Sequence, residues 1–482
     1  MLRQFVSDSA IYGLSALLVR GIGLILVPFY TRVLSPADYG AIDLLTVFAA
    51  FVGVTVGLEI VQGLARHLAD ADTADARASL ASTALWFTVS IYTAFLIAAL
   101  VALRPLSEIV LGDPERTTVM TIALLSIWFN GLFYLLQSQL RWELKPREYA
   151  LASISYAVVS MVASIFLVIG IRTGVSGVFI GQVVGAVVGL AVAVYHTRER
   201  LQWRFDRGQF AEMLRFSLPL IPSSLGVIVT SYVDRIAIRS LMDLSDVGLF
   251  GIGYRVASMA SLVMIGFQAS LTPLVYQRYR DAGTPSELAR IFRLFLAAAL
   301  LISLGLALFA TEALQLLVPP EYLAGAVVVP FLAPALLLSG MYVFAPGLAI
   351  AKRTSLTAAI HLAGALMNTI LNYLLIPLLG IRGAAVATLL SAATVFGGYM
   401  VTSQATYPVP HRWPQLASAI AIAAGAYLLG SEIHLSWWPG IVAKALLIGL
   451  VCVAFVAIGV VRREELRSAI SLMRSVLPRR GL

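Results

Sequence analysis

The chain has 482 residues, 60% of them hydrophobic and only 12% charged, with a mean hydropathy of +0.90. A soluble domain carries about 45–50% apolar and about 25% charged residues, so this chain has too little polar surface to cover a water-exposed globule of its length. A soluble enzyme, a secreted disulfide scaffold and a disordered chain are excluded, and the net charge of +9 has to be read from where the charges fall.

A helix needs about 20 mainly apolar residues to cross the hydrocarbon, and only helices or closed barrels satisfy their backbone there. Fourteen such segments are expected, at 9–31, 41–64, 79–103, 117–140, 149–171, 175–196, 213–235, 247–275, 290–311, 325–350, 355–377, 381–403, 414–430 and 440–461. They are too long and continuous for barrel strands. The first is not expected to be a cleaved signal peptide, because it is long, carries Arg20 and leads into further spans. Orientation follows from the excess of basic residues in cytoplasmic loops. With the N-terminus inside, the inner loops, termini and adjoining span ends hold 24 Lys and Arg and the outer ones 8, while Arg20 and Arg255 fall deeper within spans. Both termini are therefore expected in the cytoplasm. The basic, amphipathic tail after Arg462 suits an anionic leaflet. Cys452, the single cysteine, excludes an intramolecular disulfide and reads as a small buried hydrophobe.

The chain also repeats itself. Asp38 and Gly40, after the first span, match Asp246 and Gly248 after the seventh at an offset of 208; Arg147 matches Arg353, and Gly174 and Gly177 match Gly380 and Gly383, at an offset of 206. The offset covers six helices, an even number, so the copies share one orientation, as in transporters with parallel repeats. The expected architecture is all-α and integral to the membrane. It has an N-lobe at 1–197, an inter-lobe linker at 198–212, a C-lobe at 213–405, two additional helices at 406–461 and a cytoplasmic tail at 462–482. The repeated Gly and Asp residues are expected to form turns with positive φ or to cap the next helix.

Polar residues inside spans are costly and must face protein or water. Arg20 lies mid-way along the first span, Arg255 in the eighth and Glu59 in the second, and none has a charged counterpart in the other copy. Asn130, Tyr134, Gln137 and Arg141 share one helix face, as do Thr357, His361, Asn368 and Asn372. Such stripes face either a wet cavity or another helix. Asp43, Asp234 and Arg235 fall near outer ends, where interface charges are solvated. Gly181, Gly185 and Gly189 form a ladder for close helix packing. Prolines within spans, such as Pro28, Pro222 and Pro334, permit kinks. There is no P-loop, no HExxH and no CxxC pair, and no enzymatic activity is expected.

Three stretches resemble one family. They are Phe29 to Gly40 (FYTRVLSPADYG), Asp234-Arg235 followed by Asp246 to Arg255 (DVGLFGIGYR), and Asn368 to Thr388 (NTILNYLLIPLLGIRGAAVAT). Together with the helix count they resemble the Wzx-like polysaccharide (O-antigen) flippases of the multidrug/oligosaccharidyl-lipid/polysaccharide (MOP) exporter superfamily. The resemblance implies two lobes around a central cavity in the cell inner membrane. It implies an undecaprenyl-pyrophosphate-linked oligosaccharide as the cargo, moved from the inner to the outer leaflet by alternating access for polysaccharide biosynthesis.

Arg20 and Arg255 match mid-helix cationic positions of the family and are the pyrophosphate candidates, since the guanidinium fork fits phosphate oxygens. Asn130, Tyr134, Gln137, Tyr254, His361, Asn368 and Asn372 are the candidates for lining a glycan cavity. No cofactor is expected, but the superfamily couples transport to Na⁺ or H⁺, for which Glu59, Asp43 and Asp234 are the carboxylates available. Membrane lipids and polysaccharide polymerase or assembly proteins are the partners implied, and nucleic acid is not. Three alternatives stand beside this reading: a lipid II flippase, a cation-coupled multidrug exporter and a non-transporting membrane scaffold. More basic residues early in the chain would favour the first and acidic cavity residues the second. The insertion cost of the two mid-span arginines weighs against the third.

Overall fold

The computed structural model describes residues 2–433, 435–462 and 464–465, with some side chains of the first and eighth spans, including that of Arg20, outside the description. The described residues are helical throughout, with no strand among them. In chain order the helices are α1 (Leu2–Tyr30), α2 (Pro36–Thr55), α3 (Ile60–Asp70), α4 (Ala74–Val101), α5 (Leu103–Leu111), α6 (Thr117–Trp142), α7 (Pro146–Ile165), α8 (Val175–Thr197), α9 (Arg207–Ser217) and α10 (Ile221–Leu241). They continue with α11 (Leu244–Ser258), α12 (Ser261–Arg278), α13 (Thr284–Leu308), α14 (Ala310–Leu317), α15 (Val329–Gly340), α16 (Gly347–Ile350), α17 (Thr354–Leu379), α18 (Ile381–Thr406), α19 (Trp413–Ser431) and α20 (Trp437–Ala457).

Among the described residues, twelve helical stretches are long and apolar enough to cross a membrane. The first and eighth expected spans correspond to α1 and to the pair α11–α12. Contacts divide the chain into two compact units, Met1–Gly251 with Leu317–Tyr322, and Ile252–Leu316 with Leu323–Leu482.

Local geometry repeats where the sequence does. Gly174 (φ 63°, ψ −144°) and Gly380 (φ 59°, ψ −143°) adopt one conformation. Each carbonyl accepts from the N–H three residues on, Gly177 at 3.1 Å and Gly383 at 2.9 Å. These two are turn glycines, as expected. The turns before α7 and α17 also match, with left-handed Leu144 (φ 56°) and Lys352 (φ 55°), and this geometry sets Arg353 against Lys145 at an offset of 208 and not against Arg147 as expected. In each turn the next N–H reaches back five residues, Lys145 to Leu140 and Arg353 to Leu348, both at 3.0 Å.

The caps of α2 and α11 match as well. Asp38 accepts from the Ser35 N–H (3.1 Å), and Asp246 accepts from the Asp243 N–H (3.3 Å). Gly40 and Gly248 depart from expectation. They are helical residues, absent from the positive-φ glycines, and their role is close approach. A Cβ on Gly40 would lie 2.0 Å from the Leu244 carbonyl oxygen, and one on Gly248 2.0 Å from the Pro36 carbonyl oxygen. The contact is reciprocal at the 208 offset, each glycine admitting a backbone carbonyl of the other helix.

The glycine ladder packs α8 against its neighbours. A Cβ at Gly181 would meet Ser164 Oγ at 2.0 Å, one at Gly185 the Tyr156 carbonyl oxygen at 2.7 Å, and one at Gly189 the Phe133 ring at 2.7 Å. In the second unit, α19 and α20 lay an alanine-rich face on α13, with Ala419, Ala423, Ala426, Val451 and Phe455 against Ala297, Leu304 and Leu308. Cys452 is exposed on α20. The expectation of a buried cysteine fails because this helix buries only one side and turns the rest outward, toward what would be lipid.

Candidate functional site

The segments expected as the second and eighth spans are each interrupted. Between α2 and α3, Leu58 (φ 49°) and Glu59 (φ 51°) are both left-handed. Two consecutive non-glycine residues in that region are strained, and such strain concentrates at functional sites. The break ends regular bonding: the Leu58 N–H bonds Val54, and the Ile60 N–H turns back to Gly57 at 3.0 Å. Glu59 stands at the N-terminus of α3, and among the described residues its carboxylate makes no hydrogen bond or salt bridge. It acts electrostatically on Tyr92, as does Tyr134. Tyr92 crosses α6 where Gly131 leaves room, since a Cβ there would lie 2.4 Å from its ring. Glu59, Tyr92 and Tyr134 thus form one neighbourhood in the first unit, with Tyr134 52% exposed.

The second break lies at Met259 and Ala260, between α11 and α12. Arg255 sits in the last turn of α11, and its carbonyl accepts from the Ser258 hydroxyl at 2.7 Å. Arg255 and Tyr254 are half-buried and have interaction partners. Arg20 lies on α1, and its side chain is outside the described residues.

Asp43 and Arg235 are not solvated interface charges. Arg235 Nε lies 3.8 Å from Asp43 Oδ2, with the two side chains 5% and 12% exposed. The Arg235 guanidinium also lies near the rings of Tyr232 (5.6 Å) and Phe250 (5.3 Å). Asp234 is buried beside it and is also partnered. Gly251 admits the Asp43 carboxylate, since a Cβ there would lie 2.3 Å from Oδ2. The helix-packing side of α2 therefore carries the pair, and position near a span end did not reveal it.

The polar stripes are occupied by hydrogen bonds within and between helices. Asn130 Nδ2 donates to the Ser126 carbonyl (2.8 Å), and Ser126 donates to Gln182 of α8 (3.1 Å). Gln137 Nε2 donates to Ser153 of α7 at 2.6 Å. His361 Nε2 lies 3.0 Å from the Tyr399 hydroxyl on α18. Asn368 and Asn372 are 3% and 0% exposed, and Asn372 Nδ2 donates back to the Asn368 carbonyl at 2.9 Å. Of these candidates, Tyr134 and His361 are the ones whose side chains are exposed.

A hollow of about 400 Å³ opens between α3 and α9, lined by Arg66, His67, Asp70, Glu212, Arg215 and Phe216. It lies at the basic ends of these helices. Spacing along the sequence could not reveal it, because α3 and α9 are far apart along the chain and are brought together by packing, with Gly63 so close to the Met213 backbone that a Cβ would lie 2.6 Å from the carbonyl oxygen. No cluster of His, Cys, Asp and Glu suited to a metal ion is present among the described residues.

Comparison with known proteins gives a family and a fold. The family model described as "Polysaccharide biosynthesis protein" matches residues 29–326. Comparison with curated protein sequences finds no match. Among solved structures, the chain is similar to the lipid II flippase MurJ in an inward closed conformation. Identity is 15%, the TM-score is 0.73, and the match covers 93% of this chain and 98% of that one. It is also similar to an inward-facing multidrug resistance MATE family transporter of the MOP superfamily (16%, TM-score 0.62, 80% and 94%). A MATE transporter of Vibrio cholerae gives 16%, a TM-score of 0.56, and coverage of 84% and 97%.

Proposed function

Since the chain belongs to the polysaccharide biosynthesis protein family and has the MOP exporter fold, we propose that it is a flippase for polyprenyl-pyrophosphate-linked oligosaccharide. In this reading it moves the lipid-linked glycan from the inner to the outer leaflet of the cell inner membrane by alternating access. It acts as a transporter and not as an enzyme, with both termini in the cytoplasm. The lipid II flippase and the multidrug transporters share the fold, so the fold does not select the cargo. The family match over residues 29–326 favours a glycan.

The observation that carries the mechanism is that the eighth span breaks one turn after Arg255, while the left-handed pair with Glu59 follows α2 at the end of a helix long enough to cross. Broken helices place charged groups and freed backbone at mid-membrane, where transporters bind cargo and ions. Arg255 is the foremost cation for the pyrophosphate, whose charge needs cationic hydrogen bonds in a desolvated site, and Arg20 is a separate candidate on α1. Tyr134 and Tyr254 offer stacking faces to sugar rings. Glu59 is the foremost carboxylate for Na⁺ or H⁺ coupling. Asp43 would first have to leave Arg235, and Asp234 is buried beside that pair.

The test is transbilayer movement of a fluorescent polyprenyl-pyrophosphate oligosaccharide in proteoliposomes. Arg255→Ala and Arg20→Ala should each slow it about 10- to 100-fold, the worth of a charged hydrogen bond, with folding unchanged. Glu59→Gln should abolish its dependence on the ion gradient. Export of organic cations without lipid movement would establish the multidrug reading instead. Binding of glycan-assembly proteins without any transport would establish a scaffold.

A further inference from the structure

The segment between the sixth and seventh spans is strapped to a membrane helix. Ser82 of α4 donates to the Arg200 carbonyl (3.1 Å) and accepts from the Gln202 N–H (2.7 Å). Trp86 Nε1 donates to the Gln202 carbonyl (3.0 Å), and Thr83 Oγ1 accepts from the Asp206 N–H (3.0 Å). Trp203 stacks on Trp86 with ring centroids 4.5 Å apart, and Arg204 pairs with Asp75 at 3.2 Å. These bonds fix the height of the strap on α4. Ser82 and Trp86 lie about 12–18 Å along the helix from Ala74. The last charge on α4 is Arg77. The uncharged stretch from Ala78 to Val101 is about 36 Å long, against a hydrocarbon core of about 30 Å. The strap therefore lies at the boundary between hydrocarbon and headgroups.

Its outward side is aromatic and basic. Trp203 is 92% exposed and Phe205 44%, and Arg198, Arg204 and Arg207 are exposed around them. Water alone gives no reason to hold an indole rigidly outward on a hydrogen-bonded strap. A bilayer interface does, because indole rings favour the headgroup level and guanidinium groups pair with phosphate oxygens. We propose that residues 198–207 form an interfacial anchor, with Trp203 and Phe205 inserted at the leaflet edge and Arg198, Arg204 and Arg207 on the phosphates of anionic lipids. The anchor depends on the chain spanning a membrane and not on what it transports.

The full-length protein is reconstituted in phosphatidylcholine vesicles, with and without phosphatidylglycerol. The difference in emission between wild type and Trp203→Phe reports Trp203. That signal should be quenched by phosphatidylcholine brominated near the headgroup and protected from aqueous acrylamide. Phosphatidylglycerol retained by the protein should fall about five-fold for each arginine replaced by glutamine. Arg207→Gln alone supplies the reading if the triple variant does not fold. Quenching by acrylamide without quenching by brominated lipid would overturn the anchor. So would protection from both, which would mean that another protein covers the strap. Unchanged phosphatidylglycerol in the arginine variants would overturn its charged half. Lipid transport can fail with this anchor intact, so the two readings are separable.

Discussion

His411 and Glu465 show how burial and neighbours set a charge outside the spans. His411 lies between the rings of Phe292 (4.9 Å) and Trp413 (5.2 Å), and burial pushes its imidazole down to about 4. For Glu465 burial acts upward, but hydrogen bonds from Arg293, the Arg462 N–H and Arg290, with the Arg293 charge, hold the carboxyl below its usual range. Arg293 Nη2 lies 2.6 Å from it. The two shifts act alike on acidification. The unfolded chain protonates His411 near its ordinary value while the native state keeps it neutral, so stability falls from about pH 6.5 downward. The Glu465 contribution is full above the ordinary carboxylate range and is lost as pH drops through its lowered value. Thermal melting of the detergent-solubilised protein should therefore fall from about pH 7 downward, first as His411 takes up its proton and then, below the ordinary carboxylate range, as Glu465 is protonated. His411→Gln should flatten the first part of that decline and leave the second. A profile unchanged by the substitution would refute this account.

Helices in this chain meet through glycine, because lipid offers no hydrophobic drive for one helix to prefer another over tails. Gly40 and Gly248 illustrate the cost of losing such a contact. Alanine at either position places a methyl group 2.0 Å from a backbone carbonyl oxygen, which no rotamer can relieve. Gly40→Ala should destabilise the first unit by about 1–3 kcal/mol, read as a lower melting temperature in detergent. Gly53, with open space where its Cβ would be, is the control, and Gly53→Ala should be neutral. Equal effects at both sites would show that the crossing is not a tight contact. The break at Leu58 and Glu59 is the opposite device, in which helix geometry is given up. No proline stands there; Gly57 alone precedes it, and the left-handed pair follows from its surroundings.

Additional helices on a membrane protein must be held by more than an apolar face. In the second unit Lys444 of α20 pairs with Glu312 of α14, the two side chains 11% and 16% exposed. Arg290 and Arg293 at the start of α13 clamp Glu465 just beyond the end of α20. The last helix is thus pinned near both its ends. Breaking a buried pair leaves an uncompensated charge, at about 3–5 kcal/mol. Lys444→Met should therefore loosen α20, measured as faster amide exchange along residues 440–451. Lys444→Met with Glu312→Gln should recover most of the protection. Equal exchange in the single and double variants would show that the pair does not hold the helix.

Composition and spacing were enough to read the all-α membrane class and most of the expected spans, twelve of which are helices long and apolar enough to cross among the described residues, because lipid imposes length and polarity on each helix separately. The turn glycines Gly174 and Gly380 were legible for the same reason: a left-handed conformation is a local demand. What a residue meets across a helix interface was not legible. Gly40 read as a turn residue and proved to be a crossing, Asp43 and Arg235 read as solvated ends and proved to be a buried pair, and Cys452 read as buried and is exposed. The stripes on α6 and α17 read equally as cavity or packing, and the partners Ser153, Gln182 and Tyr399 come from neighbouring helices. The strap at 198–207 lies in the stretch read only as an inter-lobe linker at 198–212, because its hydrogen bonds are made by side chains more than a hundred residues away. Only packing decides such matters, since it brings together groups whose separation along the chain carries no record of their contact.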